Sequence, residues 1–272
     1  NEYNPSNRTT ATYYVNASGY EDLVRSCYPL LRDITQQRTL VLNGTDIFAS
    51  GDYGALVFNV PGALGNAYDE YDVRLNSSLP EIQTLWTLLY REINRCNTVV
   101  SVKDNIPDMS DSLKKIRLGE AVFLRSLCLF WAVQQWGDIP MPLQETTTAS
   151  QKVTKAAAKD VYTQIINDLN QCVTDLPVKQ TDYGRATKGA AKFLLAKVYL
   201  TRGWNFNNSL GGTSADFTSA LKQCDYLITQ YPLQTNYNLL WPQHNKNPLL
   251  ETYTAATSVA NNKDPEVIFS VQ

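Results

Sequence analysis

Apolar residues recur at intervals of three or four along most of the chain, which is the period of an amphipathic helix. The clearest stripe comprises Ile82, Leu85, Leu89, Ile93, Cys96 and Val100. Comparable stripes lie within residues 18–37, 161–176, 187–203 and 214–231. The remaining segment, 110–136, is apolar nearly all round from position 121 to 133, so it must be covered on most sides. This pattern predicts a mainly α fold of six helices in stacked antiparallel pairs, with segment 110–136 at its centre.

Local signals predict where these helices begin and end. Ser-x-x-Glu capping boxes at 18–21 and 78–81 predict two helix starts, and further starts are predicted near Ser110 or Ser112 and at an N-cap, Thr187. Pro29 should kink or split the first helix, and the residue before Pro177 should end the fourth. Gly203 is the predicted residue after the fifth helix.

The central helix stops at an unusual stretch, QQWGDIPMP, at residues 134–142. Gly137 can adopt the left-handed conformation that closes a helix without a Cβ clash. Pro140 and Pro142 then prevent the helix from restarting and favour an extended path. Trp136 is expected to pack at the helix end, and Asp138 to accept hydrogen bonds from backbone amides in the turn.

Three long stretches lack the helical period: residues 40–77, 203–214 and 232–264. A loop much longer than about 15 residues in a compact domain is usually functional or disordered. The dense aromatic residues of 40–77 argue against disorder. The end of the chain, from Glu266 to Val271, is predicted to form a short strand.

Composition excludes several classes of protein. The chain has 24 basic and 26 acidic residues, a net charge of −2, and no basic cluster, which argues against nucleic-acid binding. No apolar stretch approaches the roughly 20 residues of a membrane span. The chain opens without a signal peptide, so we expect it to be a mature or truncated form.

Catalytic and metal-binding patterns are scarce. The five cysteines are widely spaced, without a CxxC motif, and each occupies a place where an apolar residue would fit; we predict buried free thiols, no metal site and no cofactor. The only histidine, His244, lies in a Pro/Asn-rich loop, which disfavours a His-based triad. A carboxylate pair such as that of a glycosidase is left open, since spacing along the sequence does not reveal it.

Five segments, in order, resemble the SusD/RagB family. The strongest is LGEAVFLRSLCLFWAVQQWGDIPMPL, which is similar to the family's Gly-Glu-Ala-x-Phe-x-Arg helix ending in aromatic-Gly-Asp-x-Pro. Trp86-x3-Tyr90-x2-Ile93-x3-Asn97 resembles the preceding helix, and VYTQIINDLNQCVTDLP resembles the following one. GRATKGAAKFLLAKVYL and the terminal Glu-Val-Ile-Phe complete the series, which covers most of residues 18–271.

The resemblance implies a TPR-like arrangement of stacked helix pairs with long irregular loops. It also implies a lipid-anchored protein at the outer-membrane surface of a Gram-negative bacterium that binds nutrient oligomers without cleaving them. Its implied partner is a SusC-type TonB-dependent transporter, and its ligand an oligosaccharide or, alternatively, an oligopeptide. Family members are commonly near twice this length, so residues 1–272 are interpreted as one helical domain, the N-terminal portion of a longer protein. The lipidated cysteine and the C-terminal part are then expected to lie outside it.

Candidate ligand-binding residues lie in the aromatic loop. Flat aromatic rings stack on the apolar faces of sugars, while Asn, Asp and Arg bind the hydroxyl groups. The resemblance implies that loops before the Trp86 helix contribute to the ligand site, as a region and not as matched residues. The candidates in this loop are Tyr53, Phe58, Asn66, Tyr68, Tyr71, Asp72 and Arg74.

Other residues are given architectural roles. Glu120 and Arg125 flank an apolar helix, so each should pair with another helix or a loop. Arg185 is predicted to clamp backbone carbonyls, and Trp86, Trp131 and Trp136 are assigned to the core. Trp204 and Trp241 are weaker ligand candidates. A helical glycoside hydrolase and a TPR scaffold with only protein partners remain as alternative functions.

Overall fold

The computed structural model describes residues 13–37, 39–42, 45, 68, 71, 75–148, 153–205, 208–233, 235 and 268–269. The helices of this part of the chain are α1 (Ala17–Ser26), α2 (Pro29–Gln36), α3 (Thr39–Leu42), α4 (Pro80–Val102), α5 (Asp111–Trp136), α6 (Ala158–Asp175), α7 (Lys188–Trp204) and α8 (Ala215–Gln230). A 3₁₀ turn, Lys103–Asn105, follows α4.

The predicted helix starts are confirmed at two places and wrong at two. The side chains of Ser110 and Thr187 accept hydrogen bonds from the amides of Leu113 and Ala190, both at 3.3 Å. Both capping boxes fail. Asn16 caps α1 by accepting from the Gly19 amide at 2.9 Å, and α4 begins at Pro80, which suits the first turn because it needs no amide hydrogen.

The predicted ends follow the prolines. Pro29 separates α1 from α2, and Leu176, in an extended conformation before Pro177, ends α6. The predicted fifth helix is α7. Gly203, predicted to follow this helix, lies within it. Asn205 instead takes the left-handed conformation there, with φ 42° and ψ 48°.

Neighbouring long helices pack in sequence order. Helix α4 packs on α5, α5 on α6, α6 on α7, and α7 on α8, while α1 and α2 lie against α4. The predicted mainly α fold of stacked helix pairs is therefore confirmed. Helix α5 is the central element, and from Gly119 to Val133 most of its residues are buried.

Two buried charges of α5 find the partners predicted for them. Arg125 donates to Asp168 Oδ2 of α6 at 2.7 Å, to Asn97 Oδ1 of α4 at 3.0 Å and to the carbonyl of Leu143 at 3.3 Å. Glu120, which is fully buried, accepts two 3.1 Å hydrogen bonds from Arg185 Nη1. Glu120 also forms an ion pair with Arg117 of the same helix.

The prediction for Arg185 is wrong in its chemistry. Among the described residues, its guanidinium binds the carboxylates of Glu120, Glu21 and Asp182, the last at 3.0 Å. The predicted contacts with backbone carbonyls are not present there. Arg117 adds a second cation, 2.5 Å from Glu21 Oε2 and 2.6 Å from Glu120 Oε1. The result is a network joining α1, α5 and the connection that leads into α7.

The stretch after α5 behaves partly as expected. Gly137 has φ 67°, which favours glycine, but its ψ of −116° lies outside the left-handed helical region. Asp138 does cap an amide, although of the next helix: its Oδ1 accepts from Ala158 at the start of α6 at 2.8 Å. An antiparallel bridge between Ile139 and Ala156 completes this junction.

The strand predicted for residues 266–271 is not found in the part that the structure describes. Ile268 and Phe269, the described residues of the predicted strand, are not in a strand; Phe269 packs edge-on against Phe123 of α5 with ring centroids 5.3 Å apart. The apolar stripe of α8 is only partly buried. Leu227 faces the fold, whereas Leu221 and Ile228 are exposed by 61% and 72%.

Candidate functional site

A groove of about 1400 Å³ runs along α4. One wall comes from α1 and the start of α2, and the other from the extended segment 140–146 and residues 153–154. The residues of α4 that line it are Trp86, Thr87, Tyr90, Arg91, Asn94, Arg95 and Thr98. These positions are three or four apart in overlapping series, so they share one face of the helix.

Aromatic rings form one end of the groove. The Trp86 and Tyr90 rings lie one helical turn apart, with centroids 4.5 Å apart and planes inclined by 33°. Trp136, at the end of α5, meets Trp86 edge-on at 5.1 Å. Trp86 is therefore braced on one side and half-buried, while it still lines the groove.

The second wall is held to α4 by side chains. Tyr90 donates to the carbonyl of Pro140 at 2.7 Å, and the Asn97 amide donates to the carbonyls of Pro142 and Gln144 at 2.9 and 3.0 Å. Asn94 exchanges two hydrogen bonds with the backbone of Thr146. These bonds satisfy an extended backbone as a neighbouring strand would, so the Pro-Met-Pro stretch has a fixed path.

Polar groups line the middle of the groove. Arg95 donates from Nη1 to the carbonyl of Ser26 at 2.8 Å, which joins α4 to the end of α1. Thr98 donates to Glu145 Oε1 at 3.0 Å across the other wall. Burial raises the pKa of the Tyr90 hydroxyl, so the group stays protonated and acts as a donor. The groove therefore combines aromatic faces with fixed donors and acceptors.

Two of the predicted ligand-binding residues, Tyr68 and Tyr71, belong to the part of the chain that the structure describes. Tyr68 is buried, and its hydroxyl donates to Glu81 Oε2 at 3.2 Å; burial raises its pKa to about 12. Tyr71 is 68% exposed and has φ 50°. Neither lines the groove. The other candidates, Tyr53, Phe58, Asn66, Asp72 and Arg74, lie outside the residues that the structure describes.

Reasoning from the sequence missed the aromatic pair of the groove. Trp86 is assigned to the core by the sequence, and Tyr90 is given no role. The Trp-x3-Tyr spacing was a usable signal, because it places both rings on one face of a helix. Trp86, Trp131 and Trp136 all pack against the core as predicted, and Trp86 in addition lines the groove. Of the two weaker candidates, Trp204 is 72% exposed at the end of α7, away from the groove, and Trp241 lies outside the described residues.

Beneath the groove lies a cluster that the sequence analysis did not predict. Ligand atoms of Cys27, Glu92 and Cys96 lie within 4.8 Å of one another, and all three residues are buried. Burial raises the pKa of Glu92 to about 7, which the nearby charges of Arg95 and Arg91 only partly offset. Cys27 and Cys96 are far apart in sequence, which hides the cluster from spacing rules.

Comparison with known proteins decides the family. A family model described as "Starch-binding associating with outer membrane", SusD-like, matches residues 58–200, just over half of the chain. This chain belongs to the SusD-like family. A SusD-like protein of Bacteroides ovatus is 28% identical over 254 residues, covering 89% of this chain and 43% of the relative. The SusD-like protein P25 of Formosa agariphila is 23% identical over 270 residues, or 96% and 45% of the two chains.

Solved structures agree with this SusD-like assignment at the level of the fold. A laminarin-binding SusD-like protein superposes with a TM-score of 0.69 at 24% identity, covering 85% of this chain and 49% of its own. NanU of B. fragilis gives 0.73 at 19% identity, with 99% and 50% covered. A structure determined with a xylogluco-oligosaccharide gives 0.65 at 24% identity, with 81% and 42% covered.

The SusD-like chain spans less than half the length of the curated relatives given above. Among its described helices, none has both the length and the apolar character required to cross a bilayer.

Proposed function

We propose that this SusD-like chain binds an oligosaccharide, and that the groove along α4 contributes to the binding surface. The observation that carries the proposal is the Trp86–Tyr90 pair at the edge of a 1400 Å³ groove that also presents arginine and asparagine side chains. Sugar rings offer apolar C–H faces to an aromatic ring and hydroxyl groups to the polar side chains around it. The names of two structural relatives, one laminarin-binding and one solved with a xylogluco-oligosaccharide, support this ligand class.

The rigidity of the site suits the capture of a ligand. Trp86 is braced by Trp136, and the opposite wall is tied to α4 through Tyr90, Asn94 and Asn97. A preformed surface loses little conformational entropy when a ligand binds. The main chemistry offered at the groove is thus stacking and hydrogen bonding, which would hold a sugar without breaking a glycosidic bond.

Affinity electrophoresis tests the proposal. Migration of the protein is measured in native gels that contain laminarin, xyloglucan or starch. We expect at least one polysaccharide to retard the chain, and we expect Trp86→Ala to weaken binding at least about tenfold, the loss typical of a buried aromatic anchor. Trp204→Ala is the matched control, since it removes an exposed tryptophan elsewhere and should leave retardation unchanged.

Other outcomes point to other functions. Retardation that Trp86→Ala leaves intact would contradict a role for the groove. Steady release of oligosaccharide would indicate a glycoside hydrolase, and binding of a peptide mixture in place of glycans would indicate an oligopeptide receptor. Binding of neither ligand class would favour a scaffold with protein partners.

The protein is further proposed to act at the outer surface of a Gram-negative outer membrane, held by a lipid anchor, where it passes its ligand to a SusC-type TonB-dependent transporter. The family description, which associates these proteins with starch binding at the outer membrane, supports this placement. Co-purification of the tagged full-length protein with that transporter from solubilised outer membranes is the test. A protein recovered alone, in the same membranes, would contradict the partnership.

A further inference from the structure

A buried carboxyl group lies between two buried thiols at the joint of α1 and α4. Glu92 and Cys96 are one turn apart on α4, and Cys27 is the residue that ends α1. One ligand atom from each of the three lies within 4.8 Å of the other two, and each residue has no exposed surface. Three donors from two helices therefore converge in one small volume.

The hydrogen bonds of this cluster are incomplete. The Cys96 thiol donates to Glu92 Oε1 at 3.3 Å, and the Cys27 thiol donates to the carbonyl of Leu23 at 3.5 Å. Glu92 Oε2 has no hydrogen-bond partner among the residues that the structure describes. A buried carboxyl oxygen without a partner costs free energy that an apolar side chain would avoid. The free energy cost would be offset by a partner for this oxygen that the described side chains do not supply.

The donor set selects one class of partner. Two sulfur atoms and one carboxylate oxygen suit a borderline-soft cation such as Zn²⁺, whereas Ca²⁺ and Mg²⁺ prefer oxygen ligands throughout. A third buried thiol, Cys128 of α5, lies within electrostatic range of both Glu92 and Cys27. The positive charges of Arg91 and Arg95 lie near enough to Glu92 to offset part of the negative charge of the ligands.

We propose that Cys27, Glu92 and Cys96 form a binding site for a zinc-type divalent cation that fastens the end of α1 to the middle of α4. Binding replaces the two thiol protons and the proton that the buried Glu92 carboxyl group carries; all of them pass to solvent, and no oxidation or reduction is involved. The site differs from the groove and does not depend on the proposed sugar ligand. It supports the groove, however, because Ser26 and Arg95, the neighbours of two of its ligands, line the groove wall.

Cobalt and zinc loading tests the site. Because the cluster is buried, the reduced 272-residue chain is refolded from denaturant with excess Co²⁺ or Zn²⁺ and then freed of unbound ion. We expect a single ion to remain per chain, with the thiolate-to-cobalt charge-transfer and visible bands of a tetrahedral site. Zn²⁺ should raise the melting temperature, since an ion that binds only the folded state stabilises it by mass action.

Variants assign the ion to the cluster. Glu92→Gln keeps the size of the side chain while it removes the anionic ligand, and should weaken Co²⁺ binding at least about tenfold; Cys96→Ser should do the same. Cys224→Ser, which removes a partly exposed thiol of α8, should leave binding unchanged. Circular dichroism establishes that each variant is folded. If Cys96→Ser does not fold, Glu92→Gln alone decides: its melting temperature should rise less with Zn²⁺ than that of the unaltered protein.

Two results would overturn the proposal. The first is that no ion remains on the folded, reduced chain. The second is that Glu92→Gln and Cys96→Ser bind the ion as well as the unaltered protein.

Discussion

Glu92 is a carboxyl group in a buried environment that disfavours its negative charge. It lies on the buried side of α4, and burial raises its pKa to about 7, against 4.5 for an ordinary glutamate. The thiols of Cys27 and Cys96 lie beside it, that of Cys128 is within electrostatic range, and Arg91 and Arg95 are the nearby cations. In the absence of a metal ion, the folded protein therefore keeps this carboxyl group protonated at a pH where the unfolded chain has released the proton.

This difference predicts a dependence of stability on pH in protein kept metal-free with a chelator. Below about pH 4.5 the group is protonated in both states, so its contribution is fully present. As the pH rises to about 7, the folded state binds more protons than the unfolded state, and the free energy of unfolding falls by up to about 3 kcal/mol. Urea unfolding between about pH 5 and about pH 8 measures the slope.

Glu92→Gln is the control for this measurement. The variant carries no titrating group at the position, so its stability should change less over the same pH interval. An equal slope in the two proteins would show that another group is responsible.

At the level of elements, the helices are joined by side chains that act on the backbone of another element. Asp138 follows α5 but caps α6, through the 2.8 Å bond to the Ala158 amide. Asn97 lies on α4 but holds the carbonyls of Pro142 and Gln144. Each bond satisfies a backbone group that has no partner within its own element, which is why irregular backbone can lie against the helices.

Replacement of Asp138 tests this role. Asp138→Ala should lower the free energy of unfolding by about 1 kcal/mol, the usual effect of losing a side-chain cap, as measured by urea denaturation. Asp138→Asn keeps an acceptor at the same place and should lose much less. Equal losses in the two variants would mean that the charge of Asp138, and not its hydrogen bond, stabilises the junction.

At the scale of the whole molecule, one charge network joins the start of the described chain to its last helix pair. Arg185 precedes α7, and its guanidinium bonds to Glu21 of α1 and Glu120 of α5, with Arg117 as the second cation. The hydroxyl of Tyr28, at the start of α2, donates to Glu120 Oε2 and accepts from the amide of Ala186. Burial raises the pKa of that hydroxyl well above its ordinary value, so it remains a donor.

Removal of Arg185 should therefore destabilise the whole fold. Arg185→Ala leaves the fully buried Glu120 with fewer partners, and we expect it to cost about 3–5 kcal/mol of stability, as when one member of a buried ion pair is removed. Thermal and urea unfolding measure the loss. Arg32→Ala, which removes an exposed arginine of α2, is the control and should change stability little. A small loss for Arg185→Ala would indicate that Arg117 alone neutralises Glu120.

Local sequence patterns are enough to predict the helices and several of their ends. Ser110, Thr187, Pro29 and Pro177 act on the backbone within a few residues of themselves, so their effect can be predicted without knowing the fold. The capping box at 18–21 failed because the Asn16 side chain caps the helix two residues earlier, and the one at 78–81 failed because α4 begins at Pro80 without a side-chain cap. The apolar surface of segment 110–136 likewise predicted its central place, because burial follows from composition alone.

Which distant residues come into contact depends instead on how the helices pack. This packing turned Trp86 toward a groove and not fully into the core, directed Arg185 to carboxylates, and brought Cys27 to Glu92 and Cys96. Each of these outcomes depends on how two helices lie against each other. The rotation of one helix about its axis relative to the next is set by the packing of many side chains together, and no short stretch of sequence specifies it.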